Sequence, residues 1–112
     1  MIEQDTEETV VVFRKFRDKS GQIIALFPEV PSDNDGIFCQ SYMHVGQHSG
    51  ADYYGLVYKT RRAKPEEYAD LYRELERIGY KLRVLQKASY KSHQKRRDET
   101  LAWKKKPVPN SP

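Results

Sequence analysis

Apolar and polar positions along the first half of the chain follow the two-residue period of strands. Thr9 to Phe16 is rich in β-branched and aromatic residues and predicts a strand. Asp18-Lys19-Ser20-Gly21 has Asp first and Gly fourth, as a type I turn prefers. Gln22 to Phe27 predicts a second strand, so the pair reads as a hairpin. Pro28 to Gly36 carries two prolines, three acids and an Asn, and reads as a loop. Ile37 to Val45 alternates again. Ile37, Cys39, Ser41, Met43 and Val45 share one face; Phe38, Gln40, Tyr42 and His44 share the other. Gly46 to Ala51 reads as a Gly-rich connection and Tyr53 to Thr60 as a fourth strand.

The period then changes. Tyr68, Leu71, Tyr72, Leu75 and Ile78 recur at spacings of three and four, which predicts a helix. Pro65 suits its first turn and Gly79 suits the left-handed residue that ends it. Tyr80 to Lys87 returns as a fifth strand. The expectation is an α+β fold of order ββββαβ: an antiparallel or mixed sheet of about five strands, with one helix packed on one face. That leaves the other sheet face open, to be used as a binding platform or covered by the N-terminal arm, the tail or a second subunit.

Charge divides the chain of 112 residues, whose formal net charge is +4, into three blocks. Residues 1–8 hold four acids and no base, and read as a flexible acidic N-terminus. Residues 9–80 hold ten acids and ten bases; with the strand that follows, residues 9–88 read as a single domain. Residues 81–112 hold ten bases against Asp98 and Glu99. The stretch 89–112 therefore reads as a basic tail, disordered or partly helical, with a short helix over Asp98 to Lys106. Lys91, Lys95, Arg96, Arg97, Lys104, Lys105 and Lys106, with Trp103 for stacking, are candidate contacts to nucleic acid. An acidic protein is the other partner that such a tail suits.

The candidate chemistry lies between Cys39 and Gly55. Cys39, His44, His48 and Asp52 have the spacing C-x4-H-x3-H-x3-D, all possible zinc ligands. Alternation puts Cys39 and His44 on opposite faces, so the reading is no metal and no cofactor. Tyr42, His44, His48, Asp52 and Tyr53 remain as a candidate recognition surface. The leading expectation is a small non-enzymatic binding module. One alternative is a small hydrolase or nuclease using His44, His48 and Asp52; another is a homodimeric interaction domain. A single cysteine, no long apolar run and an acidic N-terminus point to a cytoplasmic protein without a membrane span.

Phe27-Pro28-Glu29-Val30-Pro31, the stretch Cys39 to Gly55, and Pro65-Glu66-Glu67-Tyr68-Ala69-Asp70-Leu71 together resemble a small bacterial protein family associated with plasmids, phages and other mobile elements. The resemblance covers about residues 9–87. It implies a bacterial cytoplasmic origin and an accessory role. It brings no established activity, so no site residue is carried across.

Overall fold

A computed structural model describes residues 8–32, 36–43 and 47–105, with 47–49 and 103–105 described by their backbone. The described elements are β1 (Thr9–Phe16), β2 (Ile23–Pro31), β3 (Cys39–Met43), β4 (Gln47–Ala51), α1 (Tyr53–Lys59), β5 (Thr60–Arg62), α2 (Pro65–Ile78), β6 (Leu82–Leu85) and α3 (Tyr90–Lys105). The fold is α+β. Strands run in the order β4-β3-β2-β1-β5, and β6 also pairs with β1.

The β1–β2 hairpin forms as its turn chemistry predicts. Gly21 N–H donates to the Asp18 carbonyl at 3.2 Å, and Gly21 sits at φ 58°, which glycine adopts without strain. The second strand runs on to Pro31 instead of ending at Phe27. Its pairing with β3 shifts register between Phe27 and Pro31. Such an irregularity is where a sheet tolerates proline, so Pro28 to Pro31 belongs to the sheet rather than to a loop. The third strand begins at Cys39 rather than at Ile37, and His44 and Val45 lie outside the described residues. The expected Gly-rich connection is partly β4, in which Gln47 pairs with Met43 and Ala51 with Cys39.

Strand alternation sorts the core onto two faces. Val11, Phe13, Ala25, Phe27 and Tyr42 pack with Leu71 and Leu75 of α2 on one side. Val12, Ile24, Leu26, Cys39 and Ala51 pack with Tyr53 on the other, joined by Leu56 and Val57. The α2 helix matches its prediction: Glu66 and Glu67 lie in its first turn, Arg77 in its last, and Gly79 closes it at φ 126°.

Two corrections concern the elements on the face expected to be either open or covered by the arm, the tail or a second subunit. Tyr53 to Thr60 is not a strand. Residues 53–59 form α1, and only Thr60–Arg62 is extended. Tyr53, Leu56 and Val57 fall at helical spacing and turn into the second core, which outweighs the strand preference of their side chains. The tail expectation also changes, because residues 90–105 form one continuous helix. Ser92, His93, Arg96 and Thr100 are its buried face. Polar contacts hold it down. Ser92 Oγ reaches Glu29 Oε2 at 3.3 Å, Lys95 Nζ pairs with Glu29 Oε1 at 3.3 Å, and Arg96 reaches Gly36 and Pro28 carbonyls at 2.9 and 2.6 Å. The face away from α2 is thus covered by α1 and by the predicted tail itself.

Among the described residues, no helix is long and apolar enough to cross a membrane.

Candidate anion-binding site

The outer edge of β1 is shared by two short strands. β6 runs parallel beside Thr9 to Val12, and β5 runs antiparallel beside Arg14 to Phe16. The register of the second pairing sets like charges against each other. Arg14 lies opposite Arg62, and Lys15 opposite Arg61. Like charges directly across a ladder are unfavourable, so a counter-charge near either pair is stabilising.

On the α2 face the partner is Glu67. Its carboxylate accepts from Arg61 Nη1 and Nη2 at 2.9 and 2.6 Å, from Lys15 Nζ at 3.0 Å and from the Lys64 backbone N–H at 2.8 Å. These bonds, Arg61's foremost, hold Glu67 well below the usual carboxylate range. The sign of the pH dependence follows. A carboxyl whose folded pKa lies below its ordinary value of 4.5 contributes fully above that pH and loses its contribution as pH falls towards the folded value. The stability difference between wild type and Glu67→Gln should therefore shrink as pH is lowered from about 6 to about 3. A thermal-melt series checks this, and a pH-independent difference would refute it.

The opposite face carries no such compensation. Arg14 donates to Thr60 Oγ1 at 2.9 Å and to the Val57 and Thr60 carbonyls at 3.1 and 2.9 Å. Arg17 donates to the Thr60 carbonyl at 3.2 Å, and Arg62 to Gln86 Oε1 at 2.5 Å. All of these acceptors are neutral. Among the described residues, no carboxylate forms an ion pair with Arg14, Arg17 or Arg62. Burial lowers the Arg14 pKa first; Tyr53 opposes this, and the positive charges of Arg17 and Arg62 add smaller lowering effects. Lys59 and Lys64 are exposed at either end of β5. The row is oriented by neutral oxygens and left positively charged.

On the α2 side of the same edge, with Arg62 as the residue it shares with the row, lies a cleft of about 550 Å³. It opens where β5 and β6 part along the edge of β1. Phe13, Ala63, Tyr68, Val84 and Leu85 give it an apolar lining; Arg61, Arg62, Lys64 and Gln86 supply polar groups. Tyr68 stacks on Phe13 with ring centroids 4.2 Å apart and planes 7° from parallel.

The residues chosen from sequence are distributed differently. Tyr42 is 1% exposed, and its hydroxyl donates to a Glu74 carboxylate oxygen in the α2-side core. Tyr53 is buried, and its hydroxyl accepts the Ala88 N–H at 2.7 Å. Both are core residues rather than parts of an exposed recognition surface, since a buried phenol finds its partner inside the protein. Asp52 is exposed ahead of α1. The backbone of His48 pairs with Tyr42 in β4, while His44 lies outside the described residues. Cys39 is buried, and burial pushes its thiol up to about 11, which suits an inert core residue. Among the described residues, no three His, Cys, Asp or Glu side chains gather as metal ligands.

The basic tail is also redistributed. Arg96 is 5% exposed and bonded to backbone carbonyls, so it is a structural residue and not a phosphate contact. Lys95 is paired with Glu29. Lys91 and Arg97 are exposed, but so are Asp98 and Glu99 on the same helix. Trp103, Lys104 and Lys105 belong to the α3 backbone, and Lys106 lies outside the described residues. The row on β1 and β5 escaped the sequence reading because residues 9–80 are neutral in total. Its signal was local: Arg14-Lys15-Phe16-Arg17 and Lys59-Thr60-Arg61-Arg62-Ala63-Lys64 are basic runs inside that neutral block.

Comparison of the chain with protein-family models, with curated proteins and with solved structures finds no match.

Proposed function

We propose that this protein is a non-enzymatic binding module that holds the phosphate backbone of nucleic acid on the β1–β5 end of its sheet. The observation that carries the reading is the Arg14–Arg62 ladder pair, with Arg17 beside it and no carboxylate partner among the described residues. A polyanion would relieve that repulsion. Guanidinium forks match phosphate oxygens, and several in a row suit a repeating anion better than a single carboxylate. The resemblance to proteins of bacterial mobile elements is part of the same proposal, since such a setting supplies nucleic acid.

The test is fluorescence anisotropy of a labelled oligonucleotide across a salt series. Each neutralised phosphate contributes about 0.9 to the slope of log affinity on log salt for duplex DNA. Arg17→Gln with Arg62→Gln should lower the magnitude of the slope by about 2. Lys91→Gln with Arg97→Gln on α3 should change it much less. No binding at low salt would overturn the reading. Equal binding of polyglutamate would move the partner to an acidic protein.

A further inference from the structure

We infer that the cleft beside the cationic row receives one unpaired nucleotide, so that the protein prefers single-stranded or frayed nucleic acid to intact duplex. This inference rests on the phosphate-binding reading above and adds the state of the ligand.

The cleft joins three kinds of recognition in one place. Its volume of about 550 Å³ falls in the range of small-ligand sites, which combine an apolar lining with a few fixed polar groups. Its aromatic surface is oriented in advance. Tyr68 is half-buried and lies flat on Phe13, so the ring loses little freedom when a base stacks on it. Its polar groups differ in role. Gln86 gives its carboxamide oxygen to Arg62 Nη1 at 2.5 Å, which leaves its amide N–H groups as donors to a base edge. Arg61 is ion-paired with Glu67, which it shares with Lys15, whereas Arg62 has only the neutral Gln86 oxygen.

Arg62 belongs to both features. It lines the cleft and stands opposite Arg14 in the cationic row. A strand whose phosphates follow the row therefore brings a neighbouring base to the mouth of the cleft. A base locked in a duplex stack cannot enter without unpairing and unstacking. That difference is the source of the preference.

The experiment measures anisotropy for a single strand and for its duplex at one salt concentration, and follows an aminopurine base in the strand by fluorescence. Wild type should prefer the single strand by roughly 10-fold or more, with the aminopurine quenched by stacking. Val84→Trp fills the cleft from a partly exposed strand position and leaves the two cores intact. It should abolish both the preference and the quenching while keeping the salt slope of the row. Tyr68→Leu should act in the same direction, with a thermal melt confirming that it folds. Equal affinity for strand and duplex with no quenching would overturn the inference and leave the phosphate reading standing. No binding of either would overturn both.

Discussion

Replacing Arg96 by Ala is expected to destabilise the protein by about 3 kcal/mol and to release α3 from the sheet. The guanidinium is buried, and each of its three nitrogens has a partner. Nε donates to the Gly36 carbonyl at 2.9 Å, Nη1 to the Pro28 carbonyl at 2.6 Å and Nη2 to the Ile37 carbonyl at 3.3 Å, while Nη1 also lies 2.9 Å from His93 Nδ1. Alanine would remove these donors from the buried Gly36 and Pro28 carbonyls. Each such loss costs about 1–3 kcal/mol before relaxation, and water reaching the carbonyls returns part of it. Arg96→Lys should recover little, because one ammonium cannot reproduce a fork aimed at three carbonyls. Urea denaturation gives the magnitude. Hydrogen exchange gives the location: protection should fall across residues 90–105 and persist in β1 and β2. An unchanged denaturation midpoint would show that α3 is held by something else.

Leu75→Ala should cost a similar amount, about 3 kcal/mol within the 2–5 usual for such truncations. Leu75 is 0% exposed and meets Phe27 and Tyr42 in the core under α2. The loss combines the transferred side chain with the cavity left in a close-packed interior. Its functional effect is indirect. Glu67 and Tyr68 stand on the same helix, so a loosened α2 frees the counterion of Lys15 and Arg61 and disturbs the wall of the cleft. Denaturation should report the stability loss. Anisotropy close to the melting range should report weaker oligonucleotide binding, with the wild-type value restored on cooling. Wild-type stability would mean that the helix is anchored mainly by its aromatic residues.

Local signals made some elements legible. The α2 helix is specified by Pro65, a stripe at spacings of three and four, and Gly79, all within one short segment. The first hairpin is specified by its turn. The α1 helix was not legible, because Tyr53, Tyr54, Val57 and Tyr58 favour strands in isolation and the helix is settled by what Tyr53 and Leu56 meet. Nor was the docking of α3. Arg96 looks like one more solvated base, and its partners lie about sixty residues earlier in the chain. The candidate site was hidden for a related reason. Arg14 and Arg62 become neighbours only through strand register, and a charge total over the whole block cancels them against distant acids. Tyr42 and Tyr53 misled in the opposite way, since a polar tip does not show whether its partner is water or protein.

The shared edge of β1 also bears on how the chain survives its own synthesis. The first four strands can assemble as hairpins as soon as they are made, but Thr9 waits for Leu82, which is more than seventy residues away. At ribosomal rates of about 5–20 residues per second, that is several seconds. Throughout that interval Val10-Val11-Val12 is an unpaired apolar edge, the kind of segment that seeds intermolecular sheets. Arg14, Lys15 and Arg17 flank it on one side and Glu8 on the other. Flanking charges of this sort act as gatekeepers against self-association. The same arginines that stand ready for phosphate in the finished fold would first keep nascent chains apart.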